Sequence, residues 1–252
     1  MLKLKMTLHE ATQWAKSQLK EVCERPAYEA ELLLAYHIQE NRVYLMTHEH
    51  DEVLDLEAFE ALIERRSNYE PYEYIVGEAS FYDIHLAVEK GVLIPRPETE
   101  ILIDFVAKVI AEHSLKYIAE IGVGSGAISI VLARKFLHIS IIATDISEAP
   151  LRVAQQNIET FGLQNQITLR QSNLIDEVSE PVDLVVSNPP YIANDIILAS
   201  NVANYEPKEA LFGGRVGDEL LKQIIVDVKA RGIGYLACEM GYDQKSPYRS
   251  VC

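Results

Sequence analysis

Tyr117-Ile118-Ala119-Glu120-Ile121-Gly122-Val123-Gly124-Ser125-Gly126-Ala127 joins a short apolar strand candidate to a helical run, Ile128 to Arg134. Glycines at alternate positions let the backbone turn sharply and come close to a ligand at the amino end of a helix, where unpaired N–H groups collect. The next strand candidate, Ile139 to Thr144, ends in Asp145, at the distance where a carboxylate accepts from ribose hydroxyls. The plainer role for Asp145 is to cap the helix that follows. Further strand candidates at 167–171, 182–187 and 233–239 are separated mostly by helical segments, which predicts an α/β fold with a doubly wound, Rossmann-like sheet. Read loosely, Gly122 to Ala127 also fits the dinucleotide fingerprint with a terminal alanine, so a nicotinamide or flavin enzyme is one reading.

A second motif narrows the choice. Asn188-Pro189-Pro190-Tyr191 follows the apolar, β-branched run Val182 to Ser187, and so falls at the carboxyl end of a strand, where open α/β sheets place their ligands. Two consecutive prolines fix two φ angles and remove two backbone donors. What is left is a rigid set of acceptors, the Asn188 side-chain oxygen and the proline carbonyls, beside one aromatic ring. Such a set suits a planar group bearing N–H donors, either an amide or an amino-substituted base. An ordinary loop is the plainer alternative, since Asn-Pro and Pro-Pro are common turn signals. A hydride-transfer enzyme has no need of this tetrapeptide. Glycine loop, acidic strand end and Asn-Pro-Pro-Tyr in this order point instead to S-adenosylmethionine, whose sulfonium needs a wall free of competing cations.

The order of motifs resembles the protein N5-glutamine methyltransferases that act on peptide chain release factors, the HemK/PrmC family. Pro71-Tyr72-Glu73-Tyr74-Ile75-Val76-Gly77, Phe81-Tyr82 and Ile94-Pro95-Arg96-Pro97-Glu98-Thr99-Glu100 look like that family's linker and the entry to its catalytic domain. Tyr205-Glu206-Pro207 and Ala210-Leu211-Phe212-Gly213-Gly214 look like its segment after Asn-Pro-Pro-Tyr. The resemblance runs from about Thr7 to Gln244. Asn-Pro-Pro-Tyr alone is shared with adenine methyltransferases; its combination with Pro-Arg-Pro-Glu-Thr-Glu is far more specific.

The resemblance implies a class I S-adenosylmethionine-dependent methyltransferase fold and a set of roles. Asn188 and the Pro189 carbonyl would accept the two amide hydrogens of a glutamine, with Pro190 and Tyr191 completing the substrate wall. Gly122, Val123, Gly124, Ser125 and Gly126 would wrap the methionine and ribose parts of the donor. Asp145 would take the ribose hydroxyls and Glu120 the amino group through water. Asn173-Leu174 would border the adenine, and Asn188 would also neighbour the donor. Arg96 and Glu98 would organise the domain junction. A fold of this kind normally adds a helix and an antiparallel strand pair after its fifth strand. The ending Gln244-Lys245-Ser246-Pro247-Tyr248-Arg249-Ser250-Val251-Cys252 is too short for them, which predicts a missing C-terminal strand pair and lowered stability.

Composition bounds the rest. The chain has 252 residues, 48% hydrophobic and 24% charged, enough for one medium domain and a small one. Residues 1–70 read as a helical docking domain, 71–97 as a linker with a β-hairpin, and 98–252 as the donor-binding domain. Thr7-Leu8-His9-Glu10 is a capping-box signature before an amphipathic run to Val22, Pro26 opens a helix to Ile38, and another covers Leu56 to Ser67. Alternation over 84–94 predicts the hairpin, with its turn at Glu89-Lys90-Gly91. A helix is expected from Glu98 to His113. His48-Glu49-His50-Asp51 reads as an exposed acidic loop in preference to a metal cluster. Cys23, Cys238 and Cys252 suggest neither disulfides nor a zinc site. No apolar stretch approaches the roughly 18 residues of a membrane span, and no signal-peptide core follows the first lysines. A cytoplasmic enzyme is expected. The net charge of −15 and the lack of a basic stripe argue against stable nucleic-acid binding. Two alternatives stay open: an adenine-N6 nucleic-acid methyltransferase acting on a flipped base, and an inactive, truncated binding protein.

Overall fold

In the computed structural model, residues 5–241 and 244 are described. The expected loss of the C-terminal strand pair, attached to residues 245–252, lies outside them. The chain forms two compact units, one from the N-terminus to Gly77 together with Ser200–Tyr205, the other from Glu78–Ala199 and from Glu206 onward.

The first unit is helical. α1 (Leu8–Gln18) starts at a complete capping box, with the Glu10 amide donating to Thr7 Oγ1 at 3.2 Å and the Thr7 amide to Glu10 Oε2 at 2.9 Å. α2 (Pro26–Ile38) carries its proline at the first position, where no intrahelical N–H is lost. α3 (Arg42–Thr47), α4 (Leu56–Ser67) and α5 (Tyr72–Val76) follow. Leu8, Leu33, Leu34, Phe59, Ile63 and Ile75 supply its core. Beside that core, Arg66 is buried and paired with Glu29 at 2.5 Å. His48 stacks on Tyr44, and residues 48–51 are exposed.

The second unit opens with β1 (Glu78–Phe81) and β2 (Ile84–Ala87), an antiparallel hairpin in which Phe81 faces Ile84. Its turn is therefore Tyr82-Asp83, and the expected turn at Glu89-Lys90-Gly91 is corrected. Alternation predicts burial well, since Ile84, Leu86 and Val88 are all buried, but it does not say which neighbour pairs. The ladder stops at Ala87 because the Asn157 side chain takes both of that residue's backbone groups, at 2.8 and 3.0 Å. The turn is held from outside: Glu100 accepts from the Tyr82 amide at 2.8 Å, and Arg134 pairs with Asp83 at 2.8 Å. A turn does occur at 89–92, where the Val92 amide donates to the Glu89 carbonyl at 3.1 Å, but no strand follows it before α6.

Next come α6 (Thr99–His113), β3 (Tyr117–Ile121), α7 (Ala127–Lys135), β4 (Ser140–Asp145), α8 (Glu148–Thr160), β5 (Ile167–Gln171) and β6 (Leu184–Ser187). They are followed by β7 (Ile192–Ala193), α9 (Ser200–Ala203, part of the first unit), β8 (Phe212–Gly214), α10 (Glu219–Ala230) and β9 (Tyr235–Cys238). The sheet order is β5-β4-β3-β6-β9, all parallel. The inner strands β3 and β6 are mostly apolar and buried on both faces, whereas the edge strand β5 (Ile167-Thr168-Leu169-Arg170-Gln171) buries only its first residue. Ile118 belongs to the core shared with α6, α7 and α8, whereas Ala119 and Ile121 belong to the core shared with α10. Chain order reverses between β3 and β6, which opens a crevice at the carboxyl ends of those strands.

Candidate active site

The crevice holds a cavity of about 600 Å³, lined by the glycine loop after β3, the end of β4, Ser172-Asn173-Leu174 and Ser187 to Pro190. The loop turns back over the sheet, with the Gly122 and Val123 amides both donating to the Thr144 carbonyl at 2.9 Å. A Cβ at Gly122 or Gly124 would meet nothing within 4 Å. Glycine relieves the strain of φ angles of +75° and +55° there, and no neighbouring protein atom demands its small size. The Gly124 amide donates to Asp145 Oδ2 at 3.3 Å, and the Ser147 amide to Asp145 Oδ1 at 3.0 Å. Asp145 thus ties the glycine loop to the start of α8 while lining the cavity. Burial pushes its carboxyl above the usual range.

Glu120 sits one turn of loop away, 1% exposed, on the sheet face beneath α7. Its Oε2 accepts from the Ser129 amide at 3.1 Å and from the Ser129 hydroxyl. Burial pushes this carboxyl up to about 8, and the neighbouring Asp145 adds to the rise. From about pH 4.5 to 8 the folded chain holds a proton that the unfolded chain has released, so stability is lost as pH rises through that window. Glu120→Gln keeps an acceptor for the Ser129 amide. It is expected to raise the melting temperature at high pH by about 5 °C or more and to change it little near pH 5. Thermal melts at both pH values check this; equal shifts would show that Glu120 is not held protonated.

At the end of β6, the Ser187 hydroxyl donates to the Ile121 carbonyl at 2.8 Å, and the tetrapeptide follows. Asn188 Nδ2 donates to Thr99 Oγ1 at 2.9 Å, and the Thr99 hydroxyl donates to Glu239 Oε2 at 2.8 Å. The Tyr191 hydroxyl donates to Glu239 Oε1 at 3.3 Å. Burial raises both the Tyr191 and Glu239 values above their ordinary range. β7 and β8 pair just beyond, which lays Gly213 against the Pro190 carbonyl and Gly217 against the Tyr191 carbonyl.

Of the residues expected from sequence, Gly122, Gly124, Asp145, Leu174, Asn188, Pro189 and Pro190 line the crevice cavity of about 600 Å³. Glu120, Val123 and Ser125 line a smaller one of about 50 Å³ that shares Gly122, Gly124 and Asn188 with it. Gly126 and Tyr191 line neither. Gly126 starts α7 with φ +86°, packed near Ile130 and Ala154. Arg96 borders the smaller cavity and pairs with the buried Glu206 at 2.5 Å. Thr99, Asn157, Gly213 and Glu239 were not singled out. Thr99 and Gly213 stand inside sequence motifs but drew no role of their own, and Glu239 ends a strand candidate in an acidic residue as Asp145 does, without a partner legible in the sequence.

No lysine or arginine is among the residues lining the crevice cavity, while Asp145 and Glu209 are. A cationic donor fits such a wall, and the volume lies within the roughly 300–1,000 Å³ of small-molecule sites. No helix among the described residues is long and apolar enough to cross a membrane.

Residues 10–77 match the family model of the PrmC N-terminal domain, and residues 98–204 match the methyltransferase small domain. The release factor glutamine methyltransferase of Dictyoglomus turgidum is 38% identical over 235 residues, spanning 91% of this chain and 83% of that protein. The protein of the same name from Clostridium botulinum is 37% identical over 228 residues, 86% of this chain and 80% of its own length. Among solved structures, the hMettl16 catalytic domain in complex with MAT2A 3'UTR hairpin 6 superposes with a TM-score of 0.54 at 21% identity, over 65% of each chain. That last likeness is one of fold alone.

Proposed function

The chain belongs to the release factor glutamine methyltransferase family, and from that premise we propose that it moves a methyl group from S-adenosylmethionine to the side-chain amide nitrogen of a glutamine in a peptide chain release factor. The observation that carries this reading is that Asn188, Pro189 and Pro190 share one cavity with Gly122, Gly124 and Asp145. Acceptors for a planar amide and a cradle for a nucleoside donor thus open onto the same space.

An amide nitrogen is a poor nucleophile because its lone pair is delocalised into the carbonyl. When bound, S-adenosylmethionine supplies a methyl group activated by a positive sulfur. The residues must therefore hold the amide in line with that methyl. Positioning of this kind contributes roughly 7–11 kcal/mol, against about 0.5–1.5 kcal/mol net for a single hydrogen bond. Asn188 Oδ1 and the Pro189 carbonyl accept the two amide hydrogens and so turn the nitrogen lone pair toward the donor. The prolines keep that pair of acceptors rigid. Gly122 to Gly126 and Asp145 hold the donor, with Asp145 on its ribose and Leu174 against its base. The helical unit docks the release factor. The natural setting is the cytoplasm, where release factors work.

The test is transfer of a labelled methyl group to a release factor, to the same factor with its glutamine replaced by alanine, and to RNA and DNA. Label in the intact factor alone is expected. Label in nucleic acid with none in the factor would overturn the reading.

A further inference from the structure

We propose that Thr99 and Glu239 are positioning residues that decide which end of the Asn188 amide faces the substrate. This deepens the proposed amide transfer and rests on it. The two ends of a carboxamide have nearly the same shape, so packing around Asn188 cannot choose between them. Hydrogen-bond polarity can. A carboxyl oxygen that faces a donated proton acts as an acceptor, and one hydroxyl has one proton to give. Glu239 Oε2 takes that proton from Thr99 at 2.8 Å, which leaves Thr99 Oγ1 with lone pairs alone toward Asn188. The only end of Asn188 that satisfies it is Nδ2, which donates at 2.9 Å. Oδ1 is thereby turned away from Thr99, and among the described residues nothing donates to it.

Placement supports the assignment. Thr99 is 4% exposed at the first position of α6, Asn188 follows β6 and Glu239 follows β9. Three separate elements thus meet in one chain of bonds at the edge of the cavities that Asn188 lines. The other oxygen of Glu239 accepts from the Tyr191 hydroxyl at 3.3 Å, so a single carboxylate orients both ends of the tetrapeptide. Loss of the acceptor at position 239, as in E239A, would break the logic. The Thr99 hydroxyl would then be free to donate to Asn188 Oδ1 and turn Nδ2, a donor, toward the substrate's own donors. A glutamine there would not, because its oxygen can face Thr99 while its NH2 faces the Tyr191 hydroxyl.

The experiment compares T99V, T99S and E239A with the unaltered chain in methyl transfer to a release factor, with donor affinity by calorimetry and thermal melting alongside. T99V and E239A are each expected to lower kcat by about tenfold or more with the donor Kd within about twofold. T99S, which keeps the hydroxyl, is expected to stay within about threefold of the unaltered kcat. An unaltered kcat in folded T99V or in folded E239A would overturn the assignment, as would T99S as slow as T99V. If T99V fails to fold, E239A and T99S decide. An unaltered chain that binds donor but transfers nothing to the factor overturns the amide-transfer reading itself and the positioning role with it.

Discussion

Replacing Asn188 by alanine is expected to slow methyl transfer by about 10²–10³-fold, the cost of losing one preorganised polar group at a reacting centre. The donor Kd should stay within a few-fold. The asymmetry follows from what each group does in the proposed site. Asn188 Oδ1 faces a substrate amide that carries no charge, so its loss leaves the donor's cradle of Gly122, Gly124 and Asp145 in place. What disappears is the alignment of the nitrogen lone pair, and alignment is the larger part of the barrier for so weak a nucleophile. Asp145→Ala gives the mirror image. Removing a charged acceptor should weaken donor binding by about 1.5–3 kcal/mol, or roughly ten- to a hundredfold, with a smaller effect on kcat at saturating donor. Single-turnover rates at saturating donor, paired with calorimetry, separate the two. Transfer by Asn188→Ala near the unaltered rate would remove the amide-orienting role, and an unchanged Kd for Asp145→Ala would remove the ribose contact.

What could be read from the chain beforehand divides along a physical line. The glycine loop was legible because its cause is local: three alternate positions, 122, 124 and 126, all take left-handed φ angles, which glycine adopts without strain. The tetrapeptide was legible because proline restricts its own backbone wherever it sits. The five strands of the parallel sheet came out within about two residues, most plainly β3 and β6, which are mostly apolar and buried on both faces; the short strands β1, β7 and β8 gave no such signal. The hairpin turn was misplaced because its end is set by Asn157, a residue on α8 that alternation at 84–94 cannot sense. Thr99 and Glu239 stayed hidden for a related reason. The Pro-Arg-Pro-Glu-Thr-Glu segment drew notice to its charged members, yet the threonine makes the contact with Asn188. The direction of a hydrogen-bond chain has no signature in composition or periodicity.

Gly213→Ala is expected to reduce transfer by about a hundredfold although Gly213 itself lines neither cavity. A Cβ built there would lie 2.3 Å from the Pro190 carbonyl oxygen and 2.4 Å from the Gly217 carbonyl oxygen, both backbone atoms. No side chain can rotate away to make room, so the chain must move at Pro190 or at the β7–β8 pair that holds it. Prolines 189 and 190 transmit that shift to Asn188 because neither can absorb it by a change in φ. A displacement near 1 Å at a positioning group is enough for a loss of this size. Stability should fall as well, by about 1–3 kcal/mol, as in other overpacked sites. Gly162→Ala supplies the control. Its φ of +68° makes alanine strained, but nothing lies within 4 Å of the added carbon. It should therefore destabilise by about 1–2 kcal/mol and leave kcat unchanged. Melting curves and saturating turnover rates for both variants make the comparison. A Gly213→Ala chain that melts lower yet turns over normally would show that the tetrapeptide does not depend on β8 for its geometry.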